Sequence, residues 1–226
     1  MCVRYPNLLQ TKEFGPGCPQ SCDLPPLTCP YTQDEDCLFL DVYTPRLAHL
    51  NDPRPVMFFI HGGNFQQGSA GTLLYDGEQI ANATDTVVVV INYRLGALGF
   101  LINEELQGNY GFQDQQFALR WVQRNIAQFG GDPSRVTIFG QSAGGTSTTA
   151  HMISKQSFGL YHSVITESNP VALNLNSYEK QSKATDVFCK AAGCGDYTGT
   201  ELTDCLRGLN LTQVLNAQAK VSKYYC

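Results

Sequence analysis

Short apolar runs bounded by turn residues recur along the chain and predict buried strands. Residues 55–60 and 87–91 are wholly apolar, which is typical of parallel strands covered on both faces. The run 87–91 predicts a central parallel strand of the sheet. Residues 37–44, which alternate, and residues 163–167 predict two more strands.

Apolar residues near helical spacing predict the helices between these strands. Residues 113–129 predict an amphipathic helix that ends at the glycine pair 130–131. Its apolar positions are Phe117, Leu119, Val122, Ile126 and Phe129. Residues 177–192 and 201–219 predict two further helices. Strands that alternate with helices predict the α/β class, with a mostly parallel sheet and helices on both faces.

A serine framed by glycines lies between a predicted strand and a predicted helix. Gly140-x-Ser142-x-Gly144 follows the apolar residues 136–139 and precedes residues 143–155, which can form a helix. By itself this pattern also fits a chance match in a chain with 21 glycines. Strand, turn and helix in this order favour the nucleophile elbow, a tight turn that presents the serine hydroxyl at a helix N-terminus. Free N–H groups and the helix dipole stabilise negative charge there.

A second glycine-rich turn follows the strand predicted at residues 55–60. His61-Gly62-Gly63-Asn64-Phe65 begins where the apolar run ends. Glycines at such a position leave backbone N–H groups accessible to a ligand. This is typical of an oxyanion loop, which pairs with the N–H of the residue after the nucleophile, here Ala143. An ordinary glycine-rich turn is the alternative, and the elbow makes it less favoured.

Five segments, in the same order, resemble the type-B carboxylesterase/cholinesterase family. Residues 35–45 contain Glu-Asp-Cys-Leu, which is similar to a signature of that family. Residues 61–65 resemble its oxyanion loop, and residues 129–145 resemble its serine signature. Residues 92–96 and 121–126 are also similar to family sequence. The resemblance extends from about Cys18 to the C-terminus.

This resemblance implies an α/β-hydrolase fold and hydrolysis of carboxylic esters through an acyl-enzyme. Carried over to this chain, Ser142 is the nucleophile, and the backbone N–H groups of Gly63, Asn64 and Ala143 form the oxyanion hole. The substrate is a small-molecule ester, and neither a cofactor nor a metal is implied.

Two departures from the family pattern bear on the substrate. Asn64 stands where the family usually has glycine, and Gln141 stands where it usually has glutamate. A cholinesterase-like site holds a quaternary ammonium over an aromatic face. The family places that tryptophan in the loop closed by the cysteine of the 35–45 signature, whereas Trp121 is the only tryptophan here. The sequence therefore favours a general carboxylesterase over a cholinesterase.

The histidines do not complete a catalytic triad. In this fold the triad follows the order serine, acid, histidine. The four histidines are His49, His61, His151 and His162. No acidic residue lies between Ser142 and His162, and no histidine follows Glu167. Structural roles are expected for His61, His151 and His162, and the acid and histidine of the triad are expected beyond this chain.

The chain is therefore expected to be a partial α/β-hydrolase domain over residues 1–226. By comparison with the family it lacks the first strands and the C-terminal half. We expect these residues alone to show little or no esterase turnover. The alternative is a catalytically inactive esterase-like protein that serves in adhesion or storage, or is a truncated remnant; the intact elbow argues against it.

Composition and charge argue against nucleic-acid binding and against a membrane-spanning segment. The chain has 226 residues, 42% of them hydrophobic, and a net charge of −5. It has no basic run or basic–aromatic patch, so nucleic-acid binding is not expected. No apolar stretch approaches the ~18 residues that a membrane span needs. The oligomeric state is left open.

The nine cysteines predict disulfides, because none has the paired spacing of a zinc site. The family resemblance implies Cys18–Cys37 and Cys194–Cys205. Cys22–Cys29 is expected as a small nested loop, within a proline-rich and cysteine-rich segment over residues 1–34 that predicts an irregular, disulfide-held loop. Partners for the remaining three are left open: Cys2, Cys189 and Cys226.

This cysteine usage predicts an extracellular or secretory-pathway location. Two glycosylation sequons, at Asn82 and Asn210, fit that location. The first residues, Met-Cys-Val-Arg-Tyr-Pro, contain no apolar signal core, so a signal peptide is not expected within this chain.

Overall fold

Five strands form a single, mostly parallel sheet in the computed structural model, which describes residues 11, 13–25, 27–46, 52–169 and 177–221. The strands are β1 (Leu40–Tyr43), β2 (Arg54–Ile60), β3 (Val87–Ile91), β4 (Gly131–Gln141) and β5 (Ser163–Glu167). Their order across the sheet is β1-β3-β2-β4-β5. β1 is antiparallel to β3, and the other three pairings are parallel. The predicted α/β-hydrolase architecture is confirmed.

The described ranges contain seven α-helices. They are α1 (Glu78–Thr84), α2 (Gly96–Phe100), α3 (Tyr110–Asn125), α4 (Ala143–Ile153), α5 (Tyr178–Ala192), α6 (Gly199–Arg207) and α7 (Leu211–Val221). Three 3₁₀ segments lie at Leu73–Tyr75, Ile126–Phe129 and Lys155–Ser157. The longer predicted helices at 113–129 and 143–155 thus each end in a tighter turn.

Alternate residues of β3 show why its apolar run has no polar positions. Val87, Val89 and Ile91 belong to a core that includes α3 residues such as Leu119. Val88 and Val90 belong to a second core, which includes Ala81 of α1. Successive side chains of a strand point to opposite faces, so helices cover the sheet on both sides.

Three details of the sequence prediction are wrong. β2, not β3, occupies the middle of the described sheet, and β3 lies between β1 and β2, antiparallel to β1 and parallel to β2. Phe117 on α3 and Phe129 in the 3₁₀ segment after it are 50% and 40% exposed, so the buried stripe is narrower than predicted. The helix predicted at 201–219 is two helices, α6 and α7, because Asn210 and Gln213 bond reciprocally through side chain and backbone and begin a new helix.

Disulfides join three pairs of cysteines in the described chain: Cys18–Cys37, Cys22–Cys29 and Cys194–Cys205. These are the same three pairs that the resemblance and the nested loop suggested. Cys189 is buried and free, whereas Cys2 and Cys226 lie outside the described residues. Burial raises the pKa of the Cys189 thiol to about 11, with a further contribution from the nearby Asp186.

Helices α5 and α7 form a separate apolar cluster with α2. Phe188 and Val214 are among its buried residues. The side chain of Gln218 on α7 accepts a hydrogen bond from the Ala97 backbone N–H at 2.9 Å, which satisfies a free donor at the start of α2. Gly96 precedes it with φ 51°, and a side chain there would overlap Gln218.

Candidate functional site

Ser142 lies on a strained turn where β4 ends and α4 begins. Its backbone angles are φ 57° and ψ −119°, outside the regions that ordinary residues favour. Such a conformation costs about 1–3 kcal/mol and persists only when the surroundings hold it. The Ser142 N–H donates to the Glu167 carbonyl oxygen at 2.9 Å, and its own carbonyl oxygen accepts from Thr146 at 2.8 Å.

The glycines around Ser142 allow backbone segments to approach each other too closely for any side chain. A Cβ atom at Gly144 would overlap the carbonyl oxygen of Ile60 at the end of β2. One at Gly140 would lie 2.6 Å from the Gly144 carbonyl oxygen, and one at Gly145 would lie 2.5 Å from the Glu167 oxygen. The motif thus packs the turn between β2 and β5.

The loop after β2 lies directly against this turn. A Cβ atom at Gly62 would be 3.3 Å from the Ser142 Cβ and 2.7 Å from the Gln141 carbonyl oxygen. The loop then turns sharply, with positive φ angles at Gly63, Asn64, Phe65 and Gly68. The Gly63 carbonyl oxygen accepts from the N–H groups of residues 66 and 67, at 3.0 and 3.1 Å.

The structure therefore brings the two glycine-rich turns of the sequence to one place. β2 and β4 are adjacent and parallel, with Ile60 opposite Gly140, so the segments that follow both strands emerge at the same edge of the sheet. Ala143, the first residue of α4, is buried there. Ligands of open α/β sheets bind outside the carboxyl ends of the strands, which is where Ser142 lies.

None of the described histidines has the setting of a base for Ser142. The Nδ1 atom of His61 lies 2.8 Å from the Gly62 carbonyl oxygen, and its ring stacks on Tyr93 with centroids 4.4 Å apart. Burial lowers the pKa of His61 to about 4. His162 is exposed at the start of β5, the opposite end of that strand from the elbow, and contacts the Val136 N–H. His49 lies outside the described residues.

His151 belongs to a buried polar network between α3 and α4. Its Nδ1 lies 2.8 Å from the Ser157 hydroxyl and its Nε2 3.2 Å from the Gln115 Oε1. With Nε2 carrying the proton, the ring donates to Gln115 and accepts from Ser157. Burial lowers the pKa of His151 to about 4, so the neutral ring joins the two helices.

Comparison with known proteins shows the family to which the chain belongs. The model of the carboxylesterase family matches residues 3–225. This chain belongs to the carboxylesterase family. It is 43% identical over 195 residues to an acylcarnitine hydrolase of Mus musculus, covering 85% of this chain and 34% of that protein. A cocaine esterase of Homo sapiens is 44% identical over 186 residues, which are 81% of this chain and 33% of that protein.

Another relative covers more of the chain. The cAMP-regulated D2 protein of Dictyostelium discoideum is 40% identical over 218 residues, 96% of this chain and 40% of that protein. The chain thus spans about a third of the length of the curated relatives it matches.

Two side chains that bond to residues 68–70, at the end of the loop after β2, were missed by sequence reasoning. Gln20 bonds the backbone of Gly68, and Asn92 accepts from Ser69 and Ala70. Asn92 directly follows β3, and polar residues at the ends of parallel strands often face a site. Its position after a predicted strand could therefore have identified it from the sequence. Gln20 had no such signal, because its contact with Gly68 spans 48 residues of sequence.

Trp121 lies away from the elbow. It is on α3, and its ring packs against Phe129 with centroids 5.7 Å apart. Phe129 precedes the start of β4, whereas Ser142 follows the end of that strand. Gln141 is exposed beside Ser142 and adds no charge there. Among the described residues, this end of the sheet therefore has no tryptophan.

The helices, the metal-ligating side chains, the sequons and the disulfides bear on partners and location. Across the described ranges, no helix has the length and apolar character to cross a membrane, and no three metal-ligating side chains form a group. The sequon residues Asn82 and Asn210 are both exposed. The disulfides are compatible with proteins of the secretory pathway.

Proposed function

We propose that this chain carries the nucleophile and oxyanion hole of a serine carboxylic-ester hydrolase. The observation that supports this most directly is the strained Ser142, placed against the glycine loop at Gly62. A strained residue held by its surroundings is typical of functional sites. Membership of the carboxylesterase family supports the same reaction.

In this mechanism the Ser142 hydroxyl attacks the ester carbonyl carbon. The Ser142 oxygen–carbon bond forms, the carbonyl oxygen becomes an oxyanion, and the serine proton passes to a base. The backbone N–H groups of Gly63, Asn64 and Ala143 donate to that oxyanion. Collapse expels the alcohol, which takes the proton back from the base, and water then hydrolyses the acyl-enzyme by the same steps in reverse.

We infer that the base and its acidic partner come from sequence outside residues 1–226. The buried His61 and His151 are committed to other contacts, and their pKa values of about 4 are poorly matched to a general base near neutral pH. The chain spans about a third of its relatives, so residues 1–226 form part of a larger α/β-hydrolase domain in this proposal.

The proposed substrates are uncharged carboxylic esters rather than choline esters. The exposed Gln141 adds no negative charge beside Ser142, and Trp121 lies toward the other end of β4. The described part of the site therefore offers a quaternary ammonium neither a negative charge at position 141 nor an indole ring.

The protein is proposed to function in the secretory pathway or outside the cell. The three disulfides suit an oxidising compartment. Exposure of Asn82 and Asn210 supports glycosylation at both sequons.

Hydrolysis of p-nitrophenyl butyrate by the native protein that contains this chain tests the proposal. Ser142→Ala is expected to lower kcat by roughly 10⁶, as loss of a nucleophile does in a serine hydrolase. Ser163→Ala, at an exposed position on β5, is the matched control and should retain wild-type turnover. Full activity in Ser142→Ala would contradict the mechanism, and an inactive native protein would favour a non-catalytic esterase-like role.

A further inference from the structure

The loop after β2 needs support from outside itself. Four of its residues have positive φ, and two of them, Asn64 and Phe65, are not glycine. Each of these two costs of the order of 1–3 kcal/mol in backbone strain. Two of its internal bonds converge on a single acceptor, the Gly63 carbonyl oxygen. Contacts from other segments therefore determine where this loop lies relative to Ser142.

Gln20 supplies such a contact with every polar atom of its side chain. Its Oε1 accepts from the Gly68 N–H at 2.7 Å. Its Nε2 donates to the Gly68 carbonyl oxygen at 2.8 Å and to the Cys18 carbonyl oxygen at 2.9 Å. The residue is only 3% exposed. The amide thus bonds Gly68 as a neighbouring strand would, on both its donor and its acceptor.

The segment that carries Gln20 is itself fixed to the sheet. Cys18 is bonded to Cys37, and the Asn92 side chain donates at 3.0 Å to the carbonyl oxygens of Cys37 and Pro16. Because Asn92 directly follows β3, these bonds join the disulfide-held segment to the end of a core strand. The segment from which Gln20 bonds the loop is therefore held in place by a disulfide and by hydrogen bonds to the end of β3.

Gly68, which Gln20 fixes, packs directly against the start of the loop at His61 and Gly62. It packs so closely on the His61 ring and the Gly62 carbonyl oxygen that a side chain at residue 68 would overlap both. Gly62 in turn lies against Ser142. A displacement of Gly68 thus moves the backbone that presents Gly63 and Asn64.

We propose that Gln20 is a positioning residue for ester hydrolysis, which holds the oxyanion loop in register with Ser142. This inference rests on the function proposed above. An oxyanion hole acts only when its donors lie within hydrogen-bond distance of the developing charge, and a displacement of about 1 Å costs roughly 100-fold in rate. Gln20 touches no reacting atom and acts through the backbone of residues 62–68.

Gln20→Glu tests this role with almost no change of shape. The introduced carboxylate has no N–H to donate, so it faces the carbonyl oxygens of Cys18 and Gly68. Loss of loop position should lower kcat for p-nitrophenyl butyrate roughly 10–100-fold and change KM less than about threefold, because the donors act in the transition state. Protonation of that carboxyl restores a donor, so the ratio of variant to wild-type activity should rise as the pH falls.

Gln123→Glu is the matched control. The Nε2 atom of Gln123 donates to the carbonyl oxygens of Pro133 and Leu160, at 2.9 and 3.0 Å, so it is also a bridging amide. Pro133 lies near the start of β4, roughly 25 Å along the strand from Gln141 at about 3.3 Å per residue. This variant should lose stability without the change in kcat or its pH dependence.

Both variants are made in the native protein, and amide hydrogen exchange across residues 62–69 is measured beside turnover. Faster exchange and a lower kcat in Gln20→Glu alone would support the proposal. Unchanged exchange, unchanged kcat, or equal losses in both variants would overturn it. Gln20→Met provides the same comparison if Gln20→Glu fails to fold. If the wild type lacks turnover, the function proposed above fails, while exchange still shows whether Gln20 holds the loop.

Discussion

At the scale of single residues, the site depends on positions where a side chain has no room. Gly144 shows this most clearly, because a Cβ atom there would overlap the Ile60 carbonyl oxygen at the end of the adjacent strand β2. Backbone atoms cannot rotate away as a flexible side chain can. The glycine is therefore needed by the fold of the elbow, separately from any chemistry at Ser142.

Gly144→Ala is expected to lower the free energy of unfolding by about 3 kcal/mol, the upper end of the usual cost of overpacking, because the overlapping atom belongs to fixed backbone. Gly208→Ala is the control. Gly208 has φ −78°, and a Cβ there would meet its nearest atom at 3.4 Å, so a change within about 1 kcal/mol is expected. Urea unfolding of both variants measures the difference, and equal stabilities would contradict this account of the elbow.

His151 makes a prediction about acid stability. Its pKa is about 4 in the fold, against an ordinary value of 6.5, so the unfolded chain binds the proton first as the pH falls. The folded state should lose up to about 2 kcal/mol between pH 6.5 and 5 from this group, since one pKa unit corresponds to about 1.4 kcal/mol. The contribution of the group to the pH dependence disappears about one pH unit above 6.5, where the ring is neutral in both states.

Unfolding of the wild type and His151→Gln across this pH range measures that loss. The wild type should show the steeper dependence, whatever the variant's stability at pH 7. Histidine NMR provides an independent check. A His151 ring that titrates near 6.5 in the folded protein would contradict the burial argument.

At the scale of elements, the boundary between α6 and α7 depends on one reciprocal cap. Asn210→Ala should cost about 1 kcal/mol, because the Gln213 N–H loses its acceptor at the start of α7. Asn210→Asp keeps an acceptor and removes the sequon, so it should retain the stability. Thermal unfolding of unglycosylated protein compares the two. A similar loss in both variants would contradict the capping role.

Much of this element structure could be predicted because it depends on local pattern. The run at β3 is buried on both faces, and the run at β2 is buried on one face and partly buried on the other. The glycine spacing around Ser142 describes a turn that only glycine permits. The break at Gly208 was missed because apolar residues continue at helical spacing on both sides of it. The capping pair that decides the break needs Asn210 and Gln213 to be considered together.

The supporting contacts of the site could not be predicted in this way. Gln20 reaches Gly68 across 48 residues, and Asn92 reaches Pro16 across 76. No periodicity encodes such pairs, because they form only after the sheet has brought the segments together. The same holds for the order of strands, where β3 rather than β2 pairs with β1.

At the scale of the whole molecule, β5 lies at one end of the sheet, and within the described residues its outer side has no partner strand. Ile165 on this strand is 44% exposed. An exposed strand edge readily pairs with another chain.

Expressed alone, residues 1–226 are therefore expected to self-associate at micromolar concentrations, on the order of those at which exposed edges aggregate. Ile165→Lys should reduce the association, because a charge on an edge strand disfavours pairing. Size-exclusion chromatography with light scattering measures both. A monomeric wild-type segment over this range would show that the edge of β5 is protected.

The central claim is that Ser142 is an activated nucleophile. The most direct measurement treats the native protein with a fluorophosphonate and maps the adduct by peptide mass spectrometry. We predict a single phosphonylated residue, Ser142, with labelling abolished in Ser142→Ala. A native protein that hydrolyses p-nitrophenyl butyrate but carries the adduct on another residue, or leaves Ser142 unlabelled, would contradict the account.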